Sequence, residues 1–195
     1  MQWVPEATDV TQFDPRRPLA DRPIDILEFG RHYDPFHARI RSYASQRGLR
    51  HLYERTKGEI VFRTRPEFVS GLATSKISVC FPQSLTHPER FGHIETVTSR
   101  YFESMASGCI ILGRCPDELR TVFDYDPVIE ADLSCPEEQL EAILGRIEEY
   151  QPLVDRNLQT VQRIGTWYAR VATIESSLHA AGYSLPAGRM AAAPA

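Results

Sequence analysis

The sequence contains no apolar stretch approaching the roughly 20 residues a membrane-crossing helix needs. Its first residues, Met1 to Val10, lack the basic and apolar regions of a signal peptide. The expectation is a soluble, cytoplasmic chain with no transmembrane segment. An excess of one charge is also missing: 22 Lys and Arg face 26 Asp and Glu, and a net charge of -4 is too small to select a polyanion or a membrane surface. Nucleic acid is therefore not expected as a partner. The four cysteines, Cys80, Cys109, Cys115 and Cys135, form no C-x-x-C pair. Two of them sit in apolar runs, where a reduced thiol behaves as a small buried hydrophobe. No His or Cys pair has zinc spacing, and His32 and His37, five apart, do not share a helix face, so no metal and no cofactor is expected. Ser78, Ser104 and Ser107 lack a G-x-S-x-G setting, which leaves acyl-enzyme chemistry without support.

What is present is globular. A chain of 195 residues with 42% hydrophobic and 25% charged residues suffices for one domain of ordinary size. Residues 1–23 hold Pro5, Pro15, Pro18 and Pro23 and read as an entry segment or linker with at most one short strand at 2–4. Residues 24–181 carry the domain, and 182–195 read as a tail after Gly182, disordered from about Leu185. Within the domain, apolar runs at 24–29, 60–63, 77–81, 109–112 and 128–131 predict strands. Helical patterns at 35–47, 66–75, 98–107, 116–123, 136–150, 152–164 and 166–181 fill the gaps. This alternation predicts an α/β fold, a Rossmann-like, doubly wound and largely parallel sheet flanked by helices. A run at 51–54 is expected to pair with 60–63 across a Lys57-Gly58 turn. Ser134 with Glu137 makes a capping-box pattern ahead of Leu140, Ile143, Leu144 and Ile147. Trp167, Val171, Ile174 and Leu178 align on one face of the last helix, and Trp167 and Tyr168 are expected in the core unless a further domain covers them.

Ligands of an open parallel sheet lie beyond the carboxyl ends of its strands. Gly30-Arg31 follows the first strand, where a glycine admits a ligand to the backbone and an arginine suits a phosphate. The segment HIETVTSRYFESMASGCIILG, from His93, says more. A helix beginning near Thr98 would place Ser99, Arg100, Glu103 and Ser107 on a polar stripe, with Tyr101, Phe102, Met105 and Ala106 covering the rest. A polar stripe on so buried a helix calls for a polar partner such as a ligand. Free amides, the helix dipole and Arg100 at its start suit phosphate, and Glu103, one turn in, suits a vicinal diol such as a ribose. Glu95, in the loop ahead, would face the sugar side of the same ligand.

Glu95-Thr-Val-Thr-Ser-Arg-Tyr-Phe-Glu103, with the following Gly108-Cys-Ile-Ile-Leu-Gly113, resembles the Glu-x7-Glu motif of retaining GT-B glycosyltransferases, in their C-terminal, donor-binding domain. Phe29-Gly30-Arg31 is similar to that family's first-strand motif, and Trp3-Val4-Pro5-Glu6 with Asp9 and Phe13 to the passage entering the domain. The resemblance implies a nucleoside-diphosphate sugar as donor, with Glu103 on the ribose and Gly30, Arg31, Thr98, Ser99 and Arg100 on the diphosphate. It implies Glu95 as the catalytic residue on the transferred sugar, with His93 as a further sugar contact. It also implies an acceptor-binding N-terminal domain or subunit as partner. The family's usual lysine after Gly-Arg is replaced by His32-Tyr33-Asp34, and its usual glycine inside the motif by Thr98. A non-catalytic nucleotide-binding or interaction module of the same fold is the alternative. Asp124-Tyr125-Asp126 reads as turn acids and not as a metal-holding D-x-D. Arg55, Lys57, Arg63 and Arg65 read as the charged outer positions of a hairpin.

Overall fold

The computed structural model describes residues 4–15, 17–56 and 58–183. The expected strand at 2–4 involves Gln2 and Trp3, the expected turn involves Lys57, and the expected disorder begins past Tyr183; these residues lie outside the described ones. In chain order come β1 (Ile24–Leu27), α1 (Asp34–Arg47), β2 (His51–Leu52), α2 (Arg65–Ala73), β3 (Ser75–Cys80), α3 (Gln83–Thr86) and α4 (Pro88–Phe91). There follow α5 (Ser99–Ala106), β4 (Ile110–Gly113), α6 (Asp117–Val122), β5 (Ile129–Glu130), α7 (Pro136–Gly145), α8 (Gln151–Ile164) and α9 (Trp167–Ala180).

The five strands form one parallel sheet in the order β2-β1-β3-β4-β5. Its register sets Ile26 beside Ile77, Ile77 beside Ile110 and Leu112 beside Ile129. Because side chains alternate across a strand, β3 and β4 feed two cores. Ile77, Val79, Ile110 and Leu112 pack with Phe36 and Ile40 of α1 and Leu140 and Ile143 of α7. Cys80, Cys109 and Ile111 pack on the other side with Tyr101, Phe102 and Met105 of α5 and Val161 of α8. Helices thus cover both faces, the doubly wound arrangement that the alternating pattern predicts.

Local chemistry sets the helix ends. Pro35 opens α1, and Gly48, in the left-handed region at φ 67°, closes it. The Thr64 hydroxyl accepts from the Glu67 amide at the start of α2, and the Thr166 hydroxyl accepts from the Ala169 amide at the start of α9.

Several expectations are corrected. His51–Leu52 pairs in parallel with Ile26 and Leu27 as an edge strand, not as half of a hairpin. Residues 60–63 form no strand; Val61 and Phe62 turn inward onto the core, and the Phe62 ring lies over the side-chain-free face of Gly71. The capping box is not made, because the Asp132 carboxylate captures the Ser134 amide and hydroxyl and the Cys135 amide, while Glu137 pairs with Arg39. The helix expected at 136–150 ends at Gly145 and continues as the 3-10 turn Ile147–Tyr150. The loop after β3 holds the two short helices α3 and α4. Trp167, Tyr168, Val171 and Ile174 are exposed instead of core, so among the described residues nothing covers the apolar face of α9. Residues before β1 lie packed on the domain: Ala7, Phe13 and Leu19 are buried, and the buried Arg22 donates to the Ser75 and Ser107 carbonyls at 2.9 and 3.1 Å. Among the described residues no helix is long and apolar enough to cross a membrane.

The seat of α5 on the sheet includes one polar contact, Ser104 Oγ to Ser78 Oγ at 2.8 Å, with both residues fully buried. Removing Ser104 leaves the buried Ser78 hydroxyl with only the weak Cys80 Sγ contact at 3.8 Å, whereas removing both hydroxyls leaves neither to satisfy. Ser104→Ala is expected to lower unfolding free energy by about 1–3 kcal/mol in urea titrations. The Ser78→Ala, Ser104→Ala double variant is expected to lose less than the two single losses combined.

Candidate functional site

The carboxyl edge of the sheet is built around the chain leaving β1. Glu28 is buried, Phe29 half-buried, and Gly30 adopts φ 76°, a conformation L side chains rarely take. A Cβ at Gly30 would also fall 2.7 Å from the Arg100 guanidinium. That guanidinium lies 5.1 Å over the Phe29 ring, and its Nη1 donates to the Arg31 carbonyl at 3.2 Å. The Arg31 guanidinium has its pKa lowered, first by partial burial and then by the neighbouring Arg100 charge, with Glu6 opposing both. Two cations and one carboxylate therefore share this corner. For Glu28, burial opposes ionisation, but the hydrogen bonds and charges of His37 and His51 outweigh it and bring the carboxyl down to about 2.

The first turn of α5 faces the same corner. Thr98 stands at its N-cap in extended conformation without a side-chain cap bond. The Ser99 amide donates to Glu6 Oε2 at 2.6 Å, and the Val97 amide ahead of it donates to Glu118 Oε2 at 2.8 Å. The positive end of the helix thus attracts an anion, and the anion present is the chain's own Glu6. The helix is held in place by Tyr101, whose hydroxyl lies 2.7 Å from the Arg114 carbonyl. Burial pushes that hydroxyl's pKa well above the usual phenol range.

One turn further in, the Glu103 side chain is 13% exposed and accepts from Arg65 Nη1 at 3.0 Å. It lines a cavity of about 450 Å³ together with Phe29, Gly30, Phe62, Arg65 and Phe68. Arg65 is itself fixed by stacking, its guanidinium 5.1 Å from the Phe13 ring centre and 5.0 Å from that of Phe68. Arg65 therefore belongs to the site and not to the outer face of a hairpin.

The remaining predicted residues are distributed differently. Glu95 Oε1 accepts from Arg114 Nε at 3.1 Å, Arg114 also reaching Glu130 at 3.0 Å, while Glu95 Oε2 is buried with no partner among the described residues. Glu95 does not line the cavity that holds Glu103. His93 is exposed on its loop. Ser107 does not face the crevice: it is fully buried at the far end of α5, where its carbonyl accepts from Arg22. Asp124 and Asp126 pair with Arg156 and Arg120, each as a separate surface ion pair. Sequence reasoning gave Glu6 and Arg114 no role and placed Arg65 on the outside of a hairpin. Only Glu6 had a signal, since it stands in the Trp3-to-Glu6 passage already singled out.

No family model matches this chain, and no curated protein matches it. Among solved structures it is similar to sucrose-phosphate synthase from Thermosynechococcus elongatus, with a TM-score of 0.59 and 17% sequence identity over 92% of this chain and 53% of that one. At this identity the likeness shows the α/β fold alone. This chain spans about half the length of that structure.

Gly30 and Gly48 both take left-handed φ, but only at Gly30 does a neighbour stand in the way of a Cβ. Gly30→Ala and Gly48→Ala are each expected to cost about 1–2 kcal/mol in denaturant titrations for the backbone conformation. Only Gly30→Ala is expected to shift the Arg100 guanidinium resonances in NMR spectra.

Proposed function

We propose that this chain is the donor-binding domain of a glycosyltransferase, taking a nucleoside-diphosphate sugar at the carboxyl edge of its sheet. The observation that carries this reading is the juxtaposition there of a helix N-terminus already holding a carboxylate, two arginines beside it, and Glu103 one turn further on a cavity wall. The Ser99 amide, the Thr98 turn, Gly30, Arg31 and Arg100 are the diphosphate contacts, the phosphate oxygens taking the place of the Glu6 carboxylate. Glu103 accepts from the ribose hydroxyls through the oxygen that Arg65 does not hold. The aromatic wall of Phe29, Phe62 and Phe68 offers an apolar surface to the base.

On this reading Glu95, with one buried oxygen unengaged, is the residue that reaches the transferred sugar, and His93 is a further contact from the exposed side of the loop. Transfer proceeds with retention, the departing diphosphate taking the acceptor's proton while Arg31 and Arg100 stabilise its charge. The acceptor side comes from a further domain or subunit, which the uncovered apolar face of α9 is suited to meet. No metal is required for the diphosphate, since the arginines and amides supply the positive charge.

A second reading has its own observation. Glu6 on the Ser99 amide is what a doubly wound interaction module with a permanently satisfied helix end would show.

Isothermal titration with UDP, GDP and ADP and their hexose conjugates tests the first reading. Binding of at least one is expected, weakened at least about tenfold by Glu103→Ala and by Arg100→Ala, the scale of one lost charge-assisted hydrogen bond. If no nucleotide binds, or if Glu103→Ala leaves binding unchanged, the donor-site assignment is wrong. Glu6→Gln decides between the two readings. With the competing charge gone, the donor domain should bind nucleotide more tightly than the parent chain, while an interaction module should bind none in either form.

A further inference from the structure

Beneath the Gly30 turn, on the α1 side, three histidines gather at one buried carboxylate. Glu28, just past β1, is 2% exposed, and its Oε2 is hydrogen-bonded by His37 Nδ1 from the first turn of α1. His51 Nε2, from β2, lies 3.0 Å from the same oxygen, and the His51 side chain is 4% exposed with Nδ1 buried and unpartnered among the described residues. His32, in the loop before α1, stacks on His37 with ring centres 4.3 Å apart and planes 7° from parallel. Its Nε2 is likewise buried without a partner. Tyr53 closes the side of the cluster, 4.9 Å from the His37 ring and 4.7 Å from that of His51. Ligand atoms of Glu28, His32 and His37 all lie within 4.8 Å of one another.

The expectation of no metal rested on spacing along a helix. His32 lies before the helix begins, so its ring is free to fold back onto His37 although the two are five apart in sequence. A buried carboxylate ringed by imidazoles with unsatisfied nitrogens is costly unless those nitrogens meet a donor or a cation. Two imidazoles and one carboxylate form the three-ligand zinc set that leaves a fourth position open. Nitrogen donors of this kind disfavour the hard cations Ca2+ and Mg2+, which take oxygen ligands.

We propose that Glu28, His32 and His37 form a divalent transition-metal site that takes Zn2+, with His51 as the outer partner that orients Glu28. The ion takes the place of the proton between His37 and Glu28. The His32 ring, on its loop, turns out of the stack so that its Nε2 lone pair faces the ion. His51 keeps its bond to the carboxylate, as outer partners of metal ligands do. The site lies behind the nucleotide corner and shares none of the residues assigned to it, so it stands or falls apart from the donor reading.

The test uses the full chain without a histidine tag, stripped with EDTA and titrated with ZnCl2 by calorimetry, and with Co2+ by visible absorption. One equivalent of Zn2+ is expected to bind, with excess Mg2+ failing to compete. His32→Ala removes a ligand that makes no hydrogen bond in the cluster. It is expected to keep the parent circular dichroism and weaken Zn2+ at least about tenfold, as losses at metal sites do. Glu28→Gln is expected to weaken it further, and His93→Ala to leave it unchanged. Absence of Zn2+ binding overturns the proposal, as does a folded His32→Ala variant of unaltered affinity. A thiolate-to-cobalt charge-transfer band also overturns it, by assigning the ion to a cysteine. Should Glu28→Gln fail to fold, His32→Ala alone decides.

Discussion

The helix α5 is enclosed around most of its circumference: Tyr101, Phe102, Met105 and Ala106 are fully buried, and Ser104 is bonded through its hydroxyl to a serine on β3. So tight a seat leaves the helix one way to present its polar residues, along the line where Ser99, Arg100 and Glu103 meet the end of β1. Interiors of native density transmit displacement instead of absorbing it. The position of Glu103 relative to Gly30 is accordingly a property of the core and not of the surface loops. The α5–β1 corner inherits its geometry from that packing.

Electrostatics at the corner is arranged around arginine. Glu103 is held by Arg65, Glu95 and Glu130 by Arg114, and Glu6 lies near Arg31 and on the amide of Ser99. Most of these groups keep partial contact with water, where an ion pair is worth about 0–1 kcal/mol. Pairs that weak exchange partners at little cost when a phosphate or a hydroxyl competes. Glu28 differs in kind: it is sealed from water and engaged by two imidazoles, so its contacts are not open to exchange with solvent.

The alternation of apolar runs with helical patterns made the doubly wound sheet legible, because the longer strands are largely buried and keep apolar residues at most positions, with Asp25, Lys76 and Ser78 as polar interruptions. The short edge strand was not legible in its pairing. Two residues, His51 and Leu52, carry no periodicity that separates a parallel from an antiparallel neighbour, and the basic residues that follow imitate a hairpin. The capping box failed because Asp132, two residues ahead of Ser134, is the stronger acceptor, and local rules do not rank competitors. At the site, Gly30, Arg31, Arg100 and Ser99 were legible from strand-end position and spacing, and the structure brings them into one corner. Glu103 reaches the same cavity as Gly30, whereas Glu95 sits behind Arg114. Of the convergence of Glu28, His32, His37 and His51 only the His32 and His37 pair was visible in the sequence, and helix spacing argued against it; Glu28 lies just past β1 and His51 on β2.

Both margins of the sheet are very short. β2 and β5 contribute two residues each, so the outermost ladders offer few free amides and carbonyls for a neighbouring chain to zip onto. Lateral growth of the sheet, whether by aggregation or by a visiting peptide, is disfavoured at both sides. A macromolecule that meets either margin therefore finds side chains in place of a backbone ladder to extend.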